Sequence, residues 1–296
     1  MDKGPLNEPI VEAFDDMPPQ LQTAARYMLD RPDDVALLSM REQARRAGVP
    51  PATMTRLAKR LGLEGYDEVR ALYAGAVRSG ALGFAGKAGV QVKAQKLKGE
   101  RALAAEMAET LAGEIARLGE PAALERLVEA ATLLFKARRI YCLGLRSCHV
   151  AAWHFHYMLS LLGDQTVMLD DAGGTGLDAI RGAGSKDVLL AVSVEPYARA
   201  TIDGARYAAG RGVPVVALTD SEVSPLAQIA TASMLVATAS PSFFHTMTPL
   251  LAVTEILAAL VAGRGGAKAL EALGHTEDQL SAFGVHLLRR PQRERP

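Results

Sequence analysis

Two sets of residues in this 296-residue chain could do chemistry. The first is cationic. Between Arg41 and Arg60 stand six basic residues, Arg41, Arg45, Arg46, Arg56, Lys59 and Arg60, against one acid, Glu42. Fixed positive charge on a short helix suits a phosphate backbone, and a helix of that size fits the major groove of DNA. The second set occupies two short stretches, Leu145-Arg146-Ser147-Cys148-His149 and Ser193-Val194-Glu195-Pro196-Tyr197-Ala198-Arg199. Each follows an apolar run and precedes a helical stretch. The backbone N–H groups and positive end of a helix start would therefore face a ligand there, and both favour an anion.

The elements that position the first set can be read from periodicity. Met54, Leu57, Ala58 and Leu61 fall at i, i+3, i+4 and i+7 and make one apolar helical stripe. Thr53, Thr55, Arg56, Lys59 and Arg60 occupy the other arc and are the candidate DNA contacts. Upstream, Met40, Ala44 and Ala47 form a shorter stripe, joined to the first through Gly48-Val49-Pro50-Pro51, where Gly ends one helix and Pro opens the next. This is a helix-turn-helix pattern. Residues 1 to 17 read as a loose acidic arm. Leu21, Ala24, Ala25 and Met28 predict a helix opened by Pro18-Pro19, and Asp33-Asp34 a cap for a short helix through Leu38. Residues 79–100, with their glycines and Lys87, Lys93, Lys96 and Lys98, read as a solvated break between domains, with a second basic contact to DNA as the alternative; residues 101–119 read as a long helix that connects the domains or pairs two protomers.

The second set requires a sheet. Apolar runs at Ile140–Leu145, Thr166–Leu169, Val188–Ser193, Val213–Thr219 and Met234–Thr238 alternate with helical stretches at about 148–162, 174–183, 198–211 and 223–230. Runs without polar alternation are those of parallel strands covered on both faces. The expected fold is multidomain: an all-α helix-turn-helix domain followed by an α/β doubly wound domain with a five-stranded parallel sheet in flavodoxin-like order 2-1-3-4-5. Its ligand crevice lies beyond the carboxyl ends of the first and third strands, where the two loops above emerge.

The totals narrow the class. Acidic and basic residues balance at 33 each, so attraction to nucleic acid must come from the local patch. Two cysteines, Cys142 and Cys148, cannot build a disulfide framework and lack the spacing of a zinc site. With no signal-like start and no long apolar run, the reading is a soluble cytoplasmic protein with no membrane partner.

With these residues in view, the chain resembles the RpiR family of bacterial transcription regulators, which join an N-terminal helix-turn-helix to a C-terminal sugar isomerase (SIS) domain. AGVPPATMTRLAKRLGLEGYDEVR is similar to the family's recognition-helix block, RIYCLGLRSCHVA to its first sugar-binding strand and loop, and VPVVALTDSEVSPLA to its fourth strand and following turn. The resemblance covers roughly residues 15 to 265. Together with the pattern of elements it implies a helix-turn-helix DNA-binding domain at 1–78, a linker and connecting helix at 79–120 and an SIS effector domain at 121–265; the residues beyond read as a C-terminal helix and basic tail at 266–296.

The departures from the family pattern are specific. Pro50 stands where the recognition helix often has a serine cap. In the first crevice loop, Gly-x-Gly-x-Ser becomes Gly144, Arg146 and Cys148. In the second, Ser-x-Ser-Gly-x-Thr keeps Ser193 but carries Glu195, Pro196 and Ala198. Either Arg146, Ser147, Ser193, Arg199 and Thr201 replace the lost hydroxyls around an anion, or the site takes an uncharged or amine-bearing ligand that pairs with Glu195. The strand-to-helix loops and two arginines favour the first. Cys148 and Tyr197 complete the candidate lining. By resemblance, His245 and Thr246 close over the ligand, from the same or a neighbouring subunit; the alternative for them is a helix cap beside a packed aromatic pair.

Other residues carry bland readings beside sharper ones. His149, His154 and His156 lack an i, i+4 ligand pair, so with Asp170 and Asp171 they read as packing and not as a metal site. Cys148 is either a redox sensor at a helix start or a serine-sized filler. Glu195 or Glu255 would be the base if the domain were a sugar-phosphate isomerase. The expectation is instead a non-enzymatic regulator with no catalytic residues and no cofactor. Its partners are an effector that is a sugar phosphate or related metabolite, a pseudo-palindromic double-stranded DNA operator, and other copies of itself in a homodimer or homotetramer.

Overall fold

A computed structural model describes residues 5–78, 83–170 and 175–286. The chain forms two compact units, Met1–Ala112 with Ala239–Thr246, and Gly113–Thr238 with Met247–Pro296.

The first unit is helical. Its helices are α1 (Asn7–Ala13), α2 (Pro19–Asp30), α3 (Pro32–Leu37), α4 (Met40–Ala47), α5 (Pro51–Arg60), α6 (Tyr66–Arg78), α7 (Gly83–Lys98) and most of α8 (Glu100–Arg117). The expected apolar stripes form its core: Ala24, Ala25, Met28, Ala44, Met54, Leu57 and Ala58 are fully buried. Burying a side chain the size of Leu57 contributes about 1.5–3 kcal/mol.

Three expectations need correction. Over its described residues, 5–17, the N-terminal arm is not loose, because Leu6, Ile10 and Met17 close the same core around α1. Asp34 does not cap α3, whose flanking residue is Arg31. It is a buried acceptor for Tyr27 Oη at 3.0 Å, Arg46 Nη1 at 3.3 Å and Lys93 Nζ at 3.7 Å. The stretch read as a solvated linker is α7 over its described residues 83–98, with Val90 and Ala94 buried and Lys93 tied back to Asp34. Lysines spaced along a helix can face water while the opposite arc packs.

The second unit is built on a sheet. After α9 (Pro121–Lys136) come β1 (Ile140–Gly144), α10 (His149–Ser160), β2 (Thr166–Met168), β3 (Val188–Val192), α11 (Arg199–Gly210), β4 (Val215–Thr219), β5 (Ala232–Leu235), α12 (Thr248–Gly265) and α13 (Ala267–Ala282). All pairings are parallel and the order is β2-β1-β3-β4-β5, as expected. Alternate residues serve opposite faces. Cys142, Leu190, Val192, Val216 and Leu218 join the core with α9, α10 and α12, while Leu143, Leu189, Ala191, Val215 and Ala217 join the core with α11. Two covered faces explain the unbroken apolar runs. The crossovers read as helices at 174–183 and 223–230 are instead short 3-10 turns, Asp178–Gly182 and Ala227–Ile229. Helix α12 is long and apolar enough to cross a membrane by composition, yet Leu250, Val253, Leu257 and Val261 lie in the core against α9 and α10.

Candidate functional site

The helix-turn-helix is held by local chemistry. Ser39 Oγ accepts from Glu42 N at 3.3 Å to cap α4, and Gly48 ends it at φ 70°, a conformation that glycine adopts without a Cβ clash. Helix α5 has no side-chain cap; Pro50 and Pro51 set its entry, and Thr53 N closes the first turn on Pro50 O at 2.8 Å. Beneath it, the fully buried Gln43 donates from Nε2 to Val35 O and Leu38 O and accepts from Tyr66 Oη. Burial raises the Tyr66 phenol above its ordinary range, so it stays a donor. This polar lock carries no periodic signature, and only a glutamine on an otherwise apolar helix face hints at it.

On the outer arc, Arg56, Lys59 and Arg60 are exposed and Thr55 half-exposed. Thr53 is corrected: it is fully buried, because at the first turn of α5 its side chain turns toward the core, and Arg56 Nη2 lies 3.4 Å from its hydroxyl. The cationic patch is also smaller than its count. Glu42 receives Arg45 at 2.6 Å and Arg46 at 2.9 Å, and the two guanidiniums hold its carboxyl down at about 2. Arg41, Arg56, Lys59 and Arg60 remain as the outward charge. Thr55 Oγ1 lies 3.5 Å from Met40 Sδ, linking the two helices.

At the crevice, β1 ends at Gly144, where a Cβ would meet Cys148 O at 2.6 Å, so the loop folds directly over it. Arg146 follows at φ 58° with an exposed side chain. The second loop leaves β3 at Ser193 and reaches α11 through a cis Glu195–Pro196 bond. Asp220, just past β4, organises this loop. Its Oδ2 accepts from Glu195 N at 3.1 Å, and it also hydrogen-bonds Tyr197. Burial and the Asp220 carboxylate push the Tyr197 phenol above its ordinary range. Asp220 was missed as a site residue, although it closes the VPVVALTD strand.

Several expected ligand contacts are spent internally. Cys148 is buried; burial raises its thiol, which stays protonated at neutral pH and fills space without acting as a thiolate. Ser193 is fully buried and its Oγ accepts from Ala198 N at 3.3 Å. Thr201 is fully buried with its hydroxyl unpaired. Arg199 is 95% exposed and pairs with Asp203 at 3.6 Å. At the crevice loops Arg146 and Glu195 are exposed, and Ser147 and Tyr197 are half-exposed.

His245 and Thr246 are corrected as well. Both are buried, and their segment belongs to the helical unit, where Phe244 stacks on Phe84 of α7 at 5.4 Å and on His245 at 4.1 Å. Phe243 N donates to Gln91 Oε1 at 2.9 Å in the same unit. Of the other histidines, His154 Nδ1 meets Thr254 Oγ1 at 3.3 Å and His156 Nδ1 meets Thr166 Oγ1 at 2.8 Å, with His156 lowered by burial. Glu255 faces outward on α12. Asp171 and the tail from residue 287 lie outside the described residues.

Comparisons with known proteins agree with this architecture. Residues 6–79 match the helix-turn-helix domain of the rpiR family, and residues 133–260 match the SIS domain. An uncharacterized HTH-type transcriptional regulator of Clostridium perfringens is 21% identical over 70% of this chain and 73% of its own length. YfhH of Escherichia coli, named likewise, is 27% identical over 57% of this chain and 59% of its own. Among solved structures, the sugar isomerase domain of an RpiR transcription factor from Sphaerobacter thermophilus is 28% identical. It covers 60% of this chain and 98% of that one, with a TM-score of 0.55. The Vibrio vulnificus NanR protein, solved with ManNAc-6P, is 20% identical over 93% of this chain and 97% of its own, with a TM-score of 0.53, and shares the fold. The chain thus joins a helix-turn-helix domain of the rpiR family to an SIS domain that follows it.

Proposed function

We propose that this chain is a cytoplasmic, ligand-responsive transcriptional regulator whose SIS crevice senses a sugar phosphate or a related small metabolite and changes affinity for a DNA operator. The observation that carries the reading is the outward arc of α5, where Arg56, Lys59 and Arg60 stand on a helix whose inner face is sealed by Met54, Leu57 and Ala58. Together with Arg41 they present charge to phosphates and side chains to base edges. Effector occupancy and operator affinity are linked by a coupling of about 1–3 kcal/mol, which corresponds to a roughly 5- to 150-fold change. The protein acts as a homo-oligomer on a pseudo-palindromic operator with half-sites about one helical turn, or a multiple of it, apart.

For the effector, Arg146 and the helix starts favour an anion, while Glu195 and Asp220 favour hydroxyl or amine donors; a sugar phosphate carries both kinds of group. The ManNAc-6P bound by NanR supports this class as the first to try. Calorimetry with sugar phosphates and their parent sugars tests it. Binding of at least one phosphorylated sugar, weakened by Arg146→Ala, is expected. Binding only of unphosphorylated compounds would contradict the phosphate, and turnover of any sugar phosphate would contradict a purely regulatory role.

A further inference from the structure

Between β5 and α12 the chain leaves the sheet-bearing unit after Thr238 and returns to it at Met247. The strap between, Ala239-Ser240-Pro241-Ser242-Phe243-Phe244-His245-Thr246, therefore belongs to the helical unit while both of its ends are covalently joined to the sheet unit. Its serines fold it back on itself: Ser242 N donates to Ser240 Oγ at 3.1 Å and Phe244 N to Ser242 Oγ at 3.4 Å. Its aromatic pair then meets α7. Phe244 stacks on Phe84 with ring centroids 5.4 Å apart and planes 14° from parallel, and Phe243 N donates to Gln91 Oε1 at 2.9 Å. Phe84 and Gln91 lie at i and i+7, so one face of α7 receives the strap. Phe84 stays 47% exposed, which makes the stack a latch that can open without breaking the helical core.

Both ends of this attachment lead to groups described above. On the helical side, Lys93 of α7 lies 3.7 Å from Asp34, and Asp34 also takes Arg46 of α4, the first helix of the helix-turn-helix, at 3.3 Å. On the sheet side, Val236, three residues before the strap, donates from its N–H to Thr219 O at 2.9 Å. The next residue, Asp220, holds Glu195 N of the second crevice loop at 3.1 Å. A continuous set of hydrogen bonds, ion pairs and stacked rings thus runs from the crevice loop, through the strap, to α4.

We propose that the strap is the relay by which occupancy of the crevice reaches the helix-turn-helix, with the Phe84–Phe244 stack as its latch. This relay rests on the ligand-responsive regulator proposed above, but the coupling it requires exists in the free protein. The other covalent connection between the units is α8, which runs through Ala112 and Gly113 into the sheet unit ahead of α9.

Hydrogen exchange on the free full chain, read residue by residue by mass spectrometry, tests the coupling with neither effector nor DNA present. Phe84→Ala, a change confined to α7, should speed exchange at Phe243 N and, in the sheet unit, at Val236 N and Glu195 N by about fivefold or more, the low end of coupling between sites. The amides of α9, reached through α8, should keep their rates. Gln91→Ala, which removes the acceptor of Phe243 N, should give the same pattern and serves in case Phe84→Ala does not fold. Phe84→Tyr, which keeps the stacked ring, should exchange like the wild type. Faster exchange confined to the helical unit, or an equal rise in α9, would overturn the relay. Failure of every sugar phosphate or duplex to bind would count against the regulator and leave this result standing.

Discussion

On the helix-turn-helix, the side chains that matter point away from a closed core; at the crevice, the side chains that should matter have turned inward. Arg56, Lys59 and Arg60 are exposed above a sealed stripe, whereas Cys148 and Ser193 are buried within their own loops and Thr201 in the first turn of α11. Periodicity decides orientation on a helix, because 100° per residue assigns each position to a face. In a strand-to-helix loop, orientation is decided by individual hydrogen bonds, such as that from Ala198 N to Ser193 Oγ, and by clashes such as the one that excludes a Cβ at Gly144.

The strongest way to break this contrast is to remove its foundations. Leu57→Ala should destabilise the helical unit by about 2–5 kcal/mol, read by urea denaturation, and abolish DNA binding with it. Gly144→Ala should lower the melting temperature of the sheet unit, because its Cβ would collide with backbone and not with a movable side chain. Next in size, Arg56→Ala with Lys59→Ala should weaken operator binding at least about tenfold and reduce the salt slope by about 2, with far-UV circular dichroism unchanged. Thr53→Val sharpens the contrast from inside the same helix: a buried residue should leave operator affinity unaltered even if stability shifts.

A smaller effect is expected at the opposite end of the sheet, where Arg138 makes two hydrogen bonds, 2.9 and 2.7 Å, to the fully buried Asp187. The Arg138 guanidinium holds the Asp187 carboxyl below its ordinary value. A depressed carboxylate contributes stability above its unfolded pKa of about 4 and loses it as pH falls through the lower folded value. Denaturation from pH 5 downward should show this acid loss in the wild type and a flatter profile in Asp187→Asn.

Sheet order, strand positions and the core of the helix pair were legible because they rest on repeating patterns. Less was legible wherever a single polar contact decided the outcome. Asp34 reads as a helix cap in sequence, but Tyr27, Arg46 and Lys93 converge on it from separate segments. The glycines and lysines of α7 read as a linker because its buried arc, Val90 and Ala94, is short. His245 and Thr246 follow the fifth strand in sequence, yet the stacking of Phe244 on Phe84 assigns them to the helical unit. Asp220 was hidden because its partners, Glu195 and Tyr197, are more than twenty residues away in the chain.

In the proposed function the outward arc of α5 reads DNA. Fluorescence anisotropy of the full chain against duplexes selected from a random library, in a series of salt concentrations, tests it directly. A pseudo-palindromic selected site, affinity that falls with salt, and loss of that affinity in Arg56→Ala with Lys59→Ala are expected. Failure to select any duplex, or selected binding that the double variant leaves intact, would contradict it.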